Sequence, residues 1–181
     1  GAPEGLSELG KKLLPRLSGV GMILDASHMS EAAFFESRDL FEGTLIASHS
    51  NCRAYVNTDR QLSDEMIREI VKRDGVIGSV IYNRFIKQGW DKSSRKEDVT
   101  LADLVRHVQR VCEIAGDARH VGIGTDFDGG YGAESIPAEL NTIADLPRIA
   151  DALAAAKFSD ADIGNYFSGN WLRVLQRALP A

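Results

Sequence analysis

The sequence predicts an α/β fold built on a parallel sheet. Short, continuous apolar runs at 20–25, 44–48, 76–81 and about 120–125 read as strands buried on both faces. Segments of helical periodicity separate these runs, as a parallel sheet covered by helices requires. Imidazole, carboxylate and guanidinium side chains follow the ends of the runs, the face on which such folds carry their sites.

Each element has its own justification. Leu6, Leu9, Leu13, Leu14 and Leu17 recur at helical spacing, so residues about 6–17 form an amphipathic helix ahead of strand 20–25. Ser30 caps a helix through Glu31-Ala32-Ala33-Phe34-Phe35, and Gly43 punctuates before strand 44–48. Ser63 caps the next helix, which carries Met66, Ile67, Ile70 and Val71 on one face. Asp74-Gly75 ends that helix and introduces strand 76–81. Residues 84–99 are polar and aperiodic, a loop with short helical pieces. Thr100 and Asp103 have capping-box spacing ahead of Leu101, Leu104, Val105, Val108, Val111 and Ile114. Gly116-Asp117 closes that helix before the fourth strand. A polar loop at 129–142 precedes helices near 146–157 and 160–178, the latter broken near Gly169-Asn170.

Four such strands are half of an eight-stranded (β/α)8 barrel of the TIM type, so 1–181 reads as one domain supplying about four βα units. An open doubly wound sheet competes, but no Gly-x-Gly-x-x-Gly follows the first strand. The chain has 181 residues, net charge −5 and 44% apolar content, which fits a soluble globular protein with one core. Mild acidity argues against nucleic acid as a partner. Lys87, Lys92, Arg95 and Lys96 are interrupted by Asp91, Glu97 and Asp98, the pattern of a solvated loop. No apolar stretch approaches a membrane span, and neither end resembles a signal peptide or lipid-anchor signal. Two distant cysteines, Cys52 and Cys112, suggest reduced thiols and a cytoplasmic location.

His28 and His49 carry the chemistry. They occupy the same point of the strand–loop transition, one βα unit apart, so their rings can converge on one metal. The second ring nitrogen of each needs a partner, for which Ser27, Ser48, Ser50 or a backbone carbonyl is available. His107, inside a helix, and His120, at a strand start, read as structural. Asp126, at the fourth strand exit, is placed to move a proton as acid and base. Asp128, beside Gly129-Gly130, reads as a loop cap. Arg60 offers a donor fork for a substrate carboxylate, or a surface ion pair with Asp59 or Asp64. Tyr82-Asn83 follows the third strand and suits packing better than pocket lining.

These stretches resemble the renal (membrane) dipeptidase family of zinc-dependent, amidohydrolase-like peptidases. The matching segments are Leu24-Asp25-Ala26-Ser27-His28-Met29-Ser30, Ser48-His49-Ser50-Asn51, and Arg60 before Leu62-Ser63-Asp64. Further matches are 122–129, ending Thr125-Asp126-Phe127-Asp128-Gly129, Gly169-Asn170-Trp171-Leu172-Arg173-Val174, and the opening Gly5-Leu6-Ser7-Glu8-Leu9-Gly10. The resemblance implies an eight-stranded barrel with two zinc ions that hydrolyses dipeptides by metal-activated hydroxide. It gives His28 and His49 to one zinc, Arg60 to the substrate's terminal carboxylate, and Asp126 to proton handling.

Two departures matter. The family's His-x-Asp ligand pair, bridging glutamate and a substrate-binding histidine fall before residue 1, and nothing in residues 1–22 replaces them. Asn57-Thr58-Asp59 stands where the family more often has a His-Pro-like lead-in to the arginine. The chain therefore reads as a C-terminal half, inactive alone, expected to pair with its missing half or with another copy as a homodimer. The competing readings are a non-catalytic binding protein on the same scaffold and a hydrolase of another amide.

Overall fold

A computed structural model describes residues 4–179. Helix α1, Glu8–Gly19, begins at Ser7, whose Oγ accepts from the Gly10 amide. Val20 closes this helix, and Gly21 turns the backbone with φ 74°. Strand β1 is therefore only Leu24–Asp25 rather than the expected 20–25. Helix α2, Glu31–Leu40, starts at Ser30, whose Oγ accepts from Ala33 N, and runs a full turn beyond the apolar stretch that suggested it.

Strand β2 spans Leu45–Ile46, helix α3 spans Asp64–Lys72 behind the Ser63 cap, and strand β3 spans Ile77–Ser79. The polar segment that follows holds one short helix, α4, Asn83–Ile86, and a single 3-10 turn at Lys96–Asp98. Helix α5, Leu101–Ala115, opens on Thr100, whose amide and hydroxyl both donate to Asp103 Oδ2. It ends at Gly116 in the left-handed region, ahead of strand β4, Val121–Ile123. Helix α6 covers Arg148–Ala155 and helix α7 covers Asp160–Gly164.

The expected break near Gly169-Asn170 is instead a wide π turn, Asn165–Gly169, that leads without interruption into helix α8, Asn170–Ala178. Asn170 explains the register: its Nδ2 donates to both Ala118 O and Val121 O at 2.8 Å, tying the helix start to β4. Trp171 Nε1 donates to Ile123 O at 3.0 Å on the same strand.

All four strands run parallel in chain order. Leu24 faces Leu45, Ile77 faces Val121, and an Ala47–Ile77 bridge joins the two pairs. Close approach between strands is possible because Gly78 and Gly124 lack side chains. A Cβ on either would lie 2.0 and 2.1 Å from Ser48 O, far inside contact distance. Single backbone bonds continue the pairing past these short strands, from Ala26 N to Ile46 O, Ser50 N to Gly78 O and Ile81 N to Thr125 O. The core lies between this sheet and helices α2, α3 and α5, around fully buried Phe34, Leu45, Ile67, Ile77 and Leu104. No strand lies beside the outer edge of β1 among the described residues. No helix among them is long and apolar enough to cross a membrane.

Candidate active site

The site is assembled where β1 and β2 give way to loops. Strand pairing sets Asp25 beside Ile46, so the segments Ala26–Ser27–His28 and Ala47–Ser48–His49 leave the sheet side by side. Both imidazoles turn inward to meet. His28 Nε2 and His49 Nε2 stand 2.9 Å apart, with ring centroids at 4.9 Å and planes tilted by 56°.

Two nitrogens bonded to one tetrahedral metal at ~2.05 Å would stand about 3.3 Å apart, so the observed spacing suits a shared cation after a small opening. Among the described residues no group of three His, Cys, Asp or Glu side chains converges. The donor set in this chain thus fits part of a metal site.

A hydrogen-bonded layer supports the pair. Asp25 accepts from Ser27 N at 3.0 Å, Ser27 Oγ at 2.7 Å, Ser48 N at 2.9 Å and Ser48 Oγ. Ser48 Oγ lies 2.7 Å from His49 Nδ1, which selects Ser48 among the partners open to the sequence. Burial by itself would raise the Asp25 carboxyl, but the four donors outweigh it and hold Asp25 below the usual carboxylate range. His49 is lowered by burial and by the nearby Arg60 charge, with Asp126 and Asp25 opposing, so the ring is neutral and available as a ligand near neutral pH.

Arg60 is not a surface ion pair. Asp64 pairs with Arg110 at 2.5 Å instead. The Arg60 guanidinium bends back to His49 O at 2.9 Å and Ser50 Oγ at 3.1 Å, and lies 5.2 Å over the Phe85 ring. Its Nε is buried without a partner among the described residues. Burial lowers its pKa, opposed by the charges of Asp126 and Asp25.

Asp126 holds a backbone φ of 55°, a left-handed conformation that carboxamide and carboxylate residues tolerate better than most. Its O accepts from Gly129 N at 2.9 Å, and its carboxylate lies over Gly129, where a Cβ would stand 2.4 Å from Oδ2. Asp128 does not cap the loop: among the described residues its exposed carboxylate makes no hydrogen bond, and the turn closes through Asp126 O instead.

The other histidines are structural. His107 accepts from Cys52 N at 3.0 Å through Nδ1 and donates from Nε2 to Ile86 O at 2.9 Å, and burial lowers it to about 4. His120 Nδ1 faces Gly75 O at 2.9 Å, at the start of β4, the end of the sheet away from His28 and His49. Tyr82 stacks on Tyr131 at 4.4 Å, and Tyr131 donates to Thr125 O at 2.7 Å, so the pair braces the loop beside Asp126. Burial pushes the Cys52 thiol up to about 12, which keeps it unreactive.

Sequence reasoning missed Asp25. Its signal was present as a carboxylate three residues before His28 and two before Ser27, but its other partner, Ser48, is joined to it only by strand pairing.

Residues 2–179 match the family model described as membrane dipeptidase, peptidase family M19. An uncharacterised protein from the pqqA 5′ region of Klebsiella pneumoniae is 34% identical over 97% of this chain and 63% of its own length. Dipeptidase aclJ of Aspergillus oryzae is 31% identical over 96% of this chain and 40% of its own length. A metallopeptidase structure from Rhodobacter sphaeroides, liganded with a phosphinate mimic of the dipeptide L-Ala-D-Ala, superposes with TM-score 0.87 and 28% identity. It is covered over 50% of its length by 99% of this chain. A second M19 structure, dipeptidase AC, gives TM-score 0.88 at 28% identity, over 52% of its length. This chain thus spans 40–63% of these relatives. The family and its metallopeptidase structures imply a metal cofactor. With nearly every residue matched, and the strand-exit histidines in the order the resemblance requires, the chain belongs to the membrane dipeptidase family, M19.

Proposed function

We propose that the full-length protein is a zinc-dependent dipeptidase, and that this chain supplies the C-terminal half of a closed (β/α)8 barrel. The observation that carries the reading is the meeting of two Nε2 atoms at 2.9 Å, with the Arg60 guanidinium held on His49 O. The dipeptide mimic bound by the Rhodobacter sphaeroides structure supports the substrate class. Two zinc ions form the expected complement, and His28 and His49 would hold one of them. Bound metal would supply Lewis-acid activation of water and of the scissile carbonyl.

The chain's own residues do the rest. Arg60 binds the substrate's terminal carboxylate through the second N–H of Nη1 and of Nη2, each of which makes one contact within the chain. Asp126 accepts a proton from the attacking water and returns one to the leaving amine. Remaining ligands come from outside the chain, so residues 1–181 alone are expected to be inactive. The bare outer edge of β1 is where the N-terminal half, or a second copy in a homodimer, adds its strand. A cytoplasmic location rests on the two free thiols, Cys52 and Cys112.

The test is dipeptide hydrolysis by the full-length protein, lost on chelation and restored by zinc, with two zinc equivalents bound. Full turnover by the metal-free enzyme would sink the proposal. Folded protein that takes up no metal and hydrolyses nothing would favour a non-catalytic binder on the same scaffold.

Arg60→Ala is expected to raise KM for dipeptides with a free carboxyl terminus by roughly 10–100-fold, the worth of charge-assisted hydrogen bonds. C-terminally amidated dipeptides should be nearly unaffected. Equal losses on both would remove Arg60 from carboxylate recognition.

A further inference from the structure

We infer that Asp25, acting through the Ser48 hydroxyl, is a positioning residue that fixes His49 in its Nδ1–H tautomer and leaves the Nε2 lone pair facing His28. The inference rests on counting protons. The Ser48 hydroxyl has one hydrogen, and its oxygen contacts both Asp25 Oδ2 and His49 Nδ1, the latter at 2.7 Å. A carboxylate only accepts, so the hydroxyl hydrogen goes to Asp25. Ser48 Oγ then presents lone pairs to His49 Nδ1. A bare Nδ1 would set lone pair against lone pair, so Nδ1 carries the ring proton and Nε2 is bare.

The other contacts hold this arrangement in place. Ser27 Oγ spends its hydrogen on Asp25 Oδ1 at 2.7 Å and accepts from His49 N at 3.0 Å. Ser48 N donates to Asp25 Oδ1 at 2.9 Å across the two strand exits. One carboxylate thus clamps both exits and orients the second imidazole. The role rests on the zinc-site reading for its purpose, but the tautomer is a property of the metal-free protein and can be read separately.

Asp25→Asn makes a directional test. The three donors on Oδ1 can remain on the amide oxygen, while the amide nitrogen becomes a donor toward Ser48 Oγ. Ser48 Oγ then has two acceptors in reach, Ser27 Oγ at 3.2 Å and His49 Nδ1 at 2.7 Å; the nearer ring nitrogen takes the hydrogen, and the ring proton moves to Nε2. Long-range 1H–15N correlation spectra of the metal-free full-length protein should show His49 as Nδ1–H in the wild type and as Nε2–H in Asp25→Asn. Zinc affinity should fall about 10–100-fold in Asp25→Asn and in Ser48→Ala, and stay within about three-fold in Ser48→Thr, which keeps the hydroxyl.

A wild-type His49 in the Nε2–H form overturns the inference. So does an unchanged tautomer in Asp25→Asn, or unchanged zinc affinity in both Asp25→Asn and Ser48→Ala. Should Asp25→Asn not fold, the wild-type spectrum and the two Ser48 variants decide the matter. A wild-type tautomer as stated, with no zinc bound at all, upholds the positioning role and removes the zinc-site reading.

Discussion

His49→Ala is expected to lower dipeptide turnover by the full-length protein by roughly a thousand-fold, because metal activation supplies several kcal/mol of transition-state stabilisation and each ~1.4 kcal/mol is a factor of ten. Zinc content should drop with it. The fold should survive, since the contacts that tie residue 49 to its surroundings beyond the ring are made by its backbone. Its N–H donates to Ser27 Oγ and its C=O accepts from Arg60, and alanine keeps both. The loss is therefore a loss of the imidazole, not of the loop. Paired measurements of bound zinc, kcat and thermal unfolding check it. A variant that retains wild-type zinc and kcat would show that the two rings meet for another reason.

Asp126→Asn should cost about 10²–10⁴-fold in kcat, the usual range for removing a general acid–base, with bound zinc and KM little changed. Asparagine suits this position for a physical reason. The backbone φ of 55° is tolerated by Asn, whereas most other residues would add strain and confuse the result. Gly129→Ala gives an independent route to the same group. The new methyl would stand 2.4 Å from Asp126 Oδ2 and push the carboxylate aside without changing its charge. Both variants should lose turnover while retaining the metal. Unchanged kcat in Asp126→Asn would reassign proton transfer to a group outside this chain.

Local features were legible in the chain because their causes are local. Ser7, Ser30 and Ser63 each stand at a helix start with the side-chain oxygen on a first-turn amide. The sequence anticipated Ser30 and Ser63 as caps. Thr100 and Asp103 meet as their spacing suggested, with the Thr100 amide and hydroxyl both donating to the Asp103 carboxylate. The apolar runs marked where strands lie but not how far they pair. Val20 to Ile23 is apolar enough to extend β1, yet the turn at Gly21 spends that backbone before the ladder begins. Asn170 was read as a break, but its amide reaches β4 across 49 residues and keeps the helix whole.

The repeated strand–Ser–His pattern was enough to single out His28 and His49, because the position of a side chain at a strand exit follows from the chain itself. Which atoms then meet was settled by strand pairing. The register of Asp25 against Ile46 brings Ser48 onto the Asp25 carboxylate and turns two imidazole edges toward each other. Periodicity and caps depend on neighbours a few residues apart. Register, the Arg60 bend toward His49 and the Asp25 clamp depend on groups 11 to 23 residues apart, whose contact only the folded sheet creates.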